Sequence, residues 1–355
     1  MLSNKKVRSA SFVALVVFSA IVLGVFSTSQ YVLTLGIDYL EHGNQVQRLI
    51  DVLDGHAGNP WQYRVLAPYC LEVLLKLLQP LAISNYVAIT FVLFRAAQDA
   101  CILLLCYAYY RKLGRSSPQA LIGMAVMAWA MSYSQYDSDL SFSTFFDVIF
   151  YLLAALCVLH GRLVWIIPIT LLAAMNRETS GLIPFLLVAT AGLSEWRTTL
   201  ARLAPIFVAA CLVYVVVFVG LRLVYPDQAT IHPYGQALGF QLFGYNMFRP
   251  ITWYRLVATL SIVPLVAMLG YSRWPSQLRT FFWIIVPVWL TVHLFGTVLA
   301  ETRMLLVPMA MVFIPGALFA MANQENGTEL TDPSLGGSAD KPGLAQPRDK
   351  KVDRK

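Results

Sequence analysis

The acids of this chain are not scattered. Asp38, Glu41, Asp51, Asp54, Asp137, Asp139, Glu178, Asp227 and Glu301 fall at the ends of apolar runs, as do Arg64, Arg177, Arg249 and Arg303. Polar groups placed there are costly to desolvate, and clusters of them mark sites. Two short stretches concentrate the chemistry. "NRET" (176–179) and "AETR" (300–303) each set a Glu beside an Arg between two apolar runs. Guanidinium makes charge-assisted, often bidentate, bonds to phosphate oxygens, so Arg177 and Arg303 suit a phosphate held at headgroup level. The competing reading has Arg177, Glu178, Glu301 and Arg303 pair across helices and lock the bundle.

Other residues join the set. Arg64 follows Trp61 and Tyr63 in "GNPWQYRVLAP" (58–68), a combination that suits a lipid headgroup or an interfacial aromatic belt. His232, with His42 and His56, adds a further candidate contact for substrate. "QYDSDLSF" (135–142) holds a D-x-D, and Asp137 and Asp139 could share a divalent cation through oxygen ligands. Arg95 and Asp99 stand at i,i+4 within an apolar run and read as a pair facing the interior.

What must position these residues is a stack of membrane helices. The chain is 58% hydrophobic and 13% charged, with mean hydropathy +0.63. Soluble domains carry about twice that charged fraction. Apolar runs long enough for a bilayer recur at 10–35, 85–110, 118–134, 142–160, 162–176, 179–194, 203–225, 254–271, 280–299 and 303–322. They predict an all-α, polytopic membrane helix bundle of about ten transmembrane helices. The alternating segments of a β-barrel are absent. "VLAPYCLEVLLKLLQP" (65–80) carries Glu72 and Lys76 at i,i+4 and is expected to lie at the interface. The transmembrane domain is thus 1–322, with the first outer loop and interfacial helix at 36–80. The polar, Gly/Pro-rich tail at 323–355 reads as disordered and cytoplasmic.

With Lys5, Lys6 and Arg8 inside, the loops "YYRKLGRSS", "HGR", "SEWRTTLAR" and "GYSRWPSQLR" are all basic and cytoplasmic. The formal charge of +7 therefore reads as a topology signal, and nucleic acid is not expected as a partner. The first apolar run exceeds a signal-peptide core and is expected to be an uncleaved span. The five cysteines lie in apolar segments without metal-ligand spacing and read as small core residues.

The order "PWQYRVLAP", then "NRET" with a Pro following, then "ETR" with a Pro following, resembles bacterial members of the GT-C superfamily of membrane glycosyltransferases. The resemblance covers about residues 10–322. It implies an integral protein of the bacterial inner membrane with both termini cytoplasmic. It also implies a polyprenyl-phosphate sugar donor and contact with membrane lipids. Asp38 or Glu41 would be the first-loop catalytic acid, acting as base on the acceptor hydroxyl. Arg177 and Arg303 would meet the lipid phosphate and stabilise its departing charge. No cofactor is required, a divalent cation at Asp137 and Asp139 being the one addition the residues allow. The chain departs from better-defined members in lacking an acidic pair directly after the first span; it has "DYLEH". A transporter or flippase of a lipid-linked or anionic solute, and a non-catalytic membrane protein, are the alternatives from other classes.

Overall fold

The structure is a computed structural model that describes residues 2–135, 141–190, 196–226, 228–230 and 235–321. It is an all-α, multi-pass membrane bundle. Among the described residues the one extended pairing is an isolated bridge between Asn59 and Thr230. The D-x-D acids Asp137 and Asp139, the candidate His232 and the tail beyond Met321 lie outside the described residues.

Among the described residues six segments are long and apolar enough to cross a membrane: Ala10–Leu35, Tyr86–Lys112, Phe142–Leu159, Ala201–Val224, Ser276–Gly296 and Thr302–Met321. A seventh forms if Pro250–Leu260 and Val263–Leu269, bent by 65°, are taken together. The expected count of about ten is therefore not met on length alone. The three other apolar runs are short. Ser117–Tyr133 has 17 residues, and Leu163–Ala174 and Glu178–Thr190 are shorter still.

The elements before the last segment are α1 (Leu2–Leu35), α2 (Ile37–His42), α3 (Asn44–Leu53), α4 (Leu66–Leu78), α5 (Tyr86–Lys112), α6 (Ser117–Tyr133), α7 (Ser141–Leu159) and α8 (Ile166–Ala174). There follow α9 (Trp196–Val224), α10 (Phe240–Phe248), α11 (Pro250–Leu260), α12 (Val263–Leu269) and α13 (Ser276–Gly296). Burial sorts them. Phe142–Leu159 and Thr302–Met321 have 72% and 78% of their apolar windows buried, and so form the centre. Ala10–Leu35 and Ala201–Val224 have only 22% and 11% buried, and turn Val13, Phe18, Val216 and Leu223 outward, as a lipid-facing helix does.

Local chemistry explains several boundaries. α6 starts at a capping box in which the Ser116 hydroxyl accepts from the Gln119 amide while the Gln119 side chain accepts from the Ser116 amide. α5 starts at Asn85, whose side chain provides no cap. Its first turn is served from outside instead: the Glu41 carboxylate accepts from the Ala88 amide at 2.7 Å. Between α8 and α9, Glu178–Thr190 winds as a 3-10 helix with Pro184 inside. Such runs rarely exceed four residues, and they rise about 2.0 Å per residue. The tighter winding stretches this segment to about 26 Å, where an α-helix would give about 20 Å. Gly181 packs there against the Tyr214 ring; a Cβ would approach it to 2.9 Å, so only Gly fits.

α4 is too short to cross and bears the expected Glu72–Lys76 pair at 2.6 Å. The loop before it is clamped to the segment after α9. The Asn59 amide donates to the Ala229 carbonyl, Gln228 Nε2 to the Gly55 carbonyl, and the Tyr63 hydroxyl to the Tyr225 carbonyl. The segment between α3 and α4 thus lies against the C-terminal end of α9.

Candidate functional site

The site grows from the turn that ends α8. The chain stops being helical at Met175, and the Asn176 and Arg177 amides both return to the Ala173 carbonyl. That turn throws three side chains onto α7. Asn176 Nδ2 donates to Asp147 Oδ1 at 2.8 Å and to the Ser143 carbonyl at 2.7 Å. The Thr179 hydroxyl donates to Asp147 Oδ2 at 3.2 Å, and Arg177 Nη1 lies 3.2 Å from the same oxygen. Arg177 also reaches Thr144 Oγ1 and Met304 Sδ. Asp147 is 1% exposed and Arg177 3%, so this is a buried ion pair in which both carboxylate oxygens are hydrogen-bonded while Arg177 Nε is not.

Glu178 turns the other way. Its Oε2 accepts from Arg64 Nη2 at 3.1 Å, which joins the first loop to the tip after α8. The Leu66 amide adds a bond to the Met175 carbonyl. Burial works against ionisation of Glu178, but the Arg64 and Arg177 guanidinia outweigh it and hold the carboxyl below the usual glutamate value.

The second tip behaves similarly. Arg303, 1% exposed, pairs with Glu301 at 2.5 Å. Arg303 is near enough to Arg177 for the two positive charges to repel each other, so the two tips come together. They converge by turning inward, however: Arg177 and Arg303 are buried in the bundle and do not lie on its surface. His293, also buried, stacks on Trp289, whose indole donates to the Met304 carbonyl.

Beside this buried knot opens a cleft of about 470 Å³ that is partly open to solvent. Arg64 belongs to both. The cleft is walled by Gln45, Arg48, Leu49 and Val52 of α3, by Trp61, by Ala67, Pro68 and Leu71 of α4, and by Phe91, Phe142 and Ser143. The guanidinium of Arg64 lies 4.7 Å from the Trp61 ring centre and that of Arg48 lies 5.6 Å from it. The cleft therefore has a cationic, aromatic mouth and apolar walls, a lining suited to an amphiphile with an anionic head.

The candidate base Asp38 is exposed on α2 and lines no part of this cleft. Glu41 is half-buried, with one oxygen given to the Ala88 amide. Neither is joined to the arginine knot by a bond. Among the described residues no group of three His, Cys, Asp or Glu side chains could hold a metal ion.

Two participants were not singled out by sequence. Asp147 was visible as a lone acid in an apolar run, but nothing in the sequence named its partner. Arg48 carries a clearer signal: Gln45, Arg48, Leu49 and Val52 stand at i, i+3, i+4, i+7 and so share one helix face. The expected pair of Arg95 and Asp99 is only half met. Both are fully buried, yet no ion pair or hydrogen bond joins them.

No protein-family model matches the chain, and no curated protein or solved structure matches it.

Proposed function

We propose that this chain is a membrane glycosyltransferase of the GT-C type, with about ten crossings, that moves a sugar from a polyprenyl-phosphate donor to an acceptor at the extracytoplasmic face. The observation that carries the reading is the cleft mouth, where Arg48 and Arg64 address the Trp61 ring above walls of Leu49, Val52, Leu71 and Phe91. Guanidinium is the side chain that best matches phosphate oxygens, and the apolar walls would take the first isoprene units. In this reading Arg64 and Arg48 hold the lipid phosphate, with Arg177 and Arg303 supporting Arg64 through Glu178 and the buried knot. Asp38, exposed at the start of α2, takes the proton of the acceptor hydroxyl as that oxygen attacks the anomeric carbon. The bond to phosphate breaks, and its charge is left against the arginines. No cofactor is needed; a divalent cation, if used, would sit at Asp137 and Asp139.

The test is direct. Purified protein is incubated with a radiolabelled polyprenyl-phosphate sugar and a panel of acceptors. Transfer, or slow hydrolysis releasing free sugar, supports the proposal. Donor that binds and returns unchanged, or crosses a proteoliposome membrane intact, assigns the chain to transport instead.

A further inference from the structure

Behind the cleft lies a buried guanidinium that makes no hydrogen bond, although Asp99 one turn on attracts it and the Tyr31 side chain stands beside it. Arg95 is 0% exposed, and its Nε, Nη1 and Nη2 meet no hydrogen-bond acceptor among the described residues. Aromatic faces enclose it: its guanidinium lies 3.9 Å from the Phe145 ring centre, 4.8 Å from Tyr31 and 4.9 Å from Phe142. The rings and Asp99 offset only part of its desolvation cost, and native proteins rarely keep buried donors unused.

Its placement points to the use. Phe91, Arg95 and Asp99 stand at i, i+4, i+8 on one face of α5. Phe91 lines the cleft, so Arg95 is one turn behind the cleft wall and Asp99 a further turn in. Helical side chains lean toward the helix N-terminus, which tilts Arg95 toward Phe91 and the cleft, with Asp99 one turn behind it. Asp99 is held from the other side by the Thr28 hydroxyl at 3.1 Å. The partition between cleft and guanidinium is a single side chain thick. Phe142 lines the cleft with its ring over Arg95, and the Gln45 side chain does so while accepting from the Tyr31 hydroxyl at 2.7 Å. That partition has unspent polar atoms of its own: Gln45 Nε2, together with Gln98 Oε1 next to Arg95 on α5. Arg303 adds positive potential within Coulombic range.

We propose that Arg95 is an inner subsite for a phosphoryl group, reached from the cleft when Phe142 swings aside, with Gln45 Nε2 as a second donor. A doubly charged phosphoryl group fits several convergent donors in a low-dielectric site better than a single carboxylate does. The subsite does not depend on sugar transfer, so a failed transferase assay leaves it standing.

The test uses the full chain in detergent micelles. Wild type and Arg95→Gln are melted with and without inorganic diphosphate, and separately with a short-chain prenyl phosphate. The expected result is a ligand-dependent rise in Tm for wild type. In Arg95→Gln the affinity falls by about tenfold or more, read against that variant's own ligand-free Tm. Protection by both ligands assigns a free phosphoryl group, and protection by the prenyl phosphate alone assigns a lipid headgroup. Arg64→Gln provides the control for the cleft mouth. If no ligand protects wild type, or if protection survives Arg95→Gln and vanishes only in Arg64→Gln, Arg95 is a packing element and the subsite does not exist. Should Arg95→Gln fail to fold, Arg95→Lys replaces it: weakened protection upholds the subsite, and unchanged protection overturns it.

Discussion

The Asp147 carboxylate receives Arg177 Nη1, Asn176 Nδ2 and the Thr179 hydroxyl, so three of the four residues of the "NRET" tip serve one acid on the neighbouring helix. The fourth, Glu178, serves Arg64 of the first loop. An Arg and a Glu stand side by side in an apolar stretch because they answer two different partners on two sides of the same turn.

Removing one member of the buried pair should be costly. Asp147→Ala is expected to destabilise the protein by about 3–5 kcal/mol, because it strands the Arg177 charge. Asp147→Leu combined with Arg177→Met should recover most of that loss. Thermal unfolding in detergent of the two single variants and the double variant measures it; equal losses in single and double variants would contradict the pairing.

The helical class and the presence of two Glu–Arg tips were legible in sequence, because long apolar runs dominate it and charge beside such a run is rare. The destinations were not. Whether Arg177 faces lipid or interior depends on Asp147, and a lone acid in one run does not reveal which later turn will meet it. The Arg95–Asp99 spacing suggested a pair, yet the aromatic rings of Tyr31, Phe142 and Phe145, distant in sequence, take the guanidinium instead. The number of crossings was not met on length, since hydropathy marks an apolar run but not how much of it stays helical, and Ser117–Tyr133, Leu163–Ala174 and Glu178–Thr190 come out short.

The Arg64–Glu178 bridge should depend on pH in a defined direction. The Glu178 carboxyl is held below its ordinary value of 4.5. Its contribution to stability is therefore fully present above about pH 4.5, the unfolded range of a glutamate, and is lost as pH falls through the lower folded value. Wild type should be more stable than Glu178→Gln at neutral pH, and the gap should close in acid. A gap that stays constant down to pH 3 would show that Glu178 is not ionised in the fold.

The two first-loop acids should separate cleanly. Glu41→Ala removes the acceptor for the Ala88 amide and should cost about 1 kcal/mol, the usual worth of a helix cap, with sugar transfer retained. Asp38→Asn should leave stability unchanged and lower transfer by about 10²–10⁴-fold, the range of general base catalysis. Parent-rate transfer by a folded, donor-binding Asp38→Asn protein would move the assignment away from Asp38.

Lysine substitutions distinguish a ligand arginine from a packing one. Arg64→Lys keeps the charge at the cleft mouth but loses the planar fork and the face against Trp61, so donor affinity should fall by about tenfold. Arg177→Lys should lower Tm and leave donor affinity per folded molecule unchanged, because its Nη1 and Nη2 are engaged with Asp147, Thr144 and Met304. Titration of labelled donor against each purified variant reads the difference; a loss of affinity in Arg177→Lys at unchanged Tm would restore a direct role for that residue.

The Asp147–Arg177 pair also constrains how the chain enters the membrane. α7 emerges from the ribosome with its acid uncompensated, and an aspartate inside a span costs up to about 3 kcal/mol on insertion scales, the value reached at the helix centre. The guanidinium that offsets it is synthesised later, beyond α8, together with the Asn176 and Thr179 donors. α7 and α8 should therefore be released into lipid as one hairpin and not one at a time, with α7 waiting in a polar or proteinaceous setting until the turn closes on Asp147. A topology reporter fused after Trp165 should register poor insertion of α7, and the same reporter fused after Thr190 should register efficient insertion. In the nascent chain the turn after α8 would then act as the release signal for the helix before it.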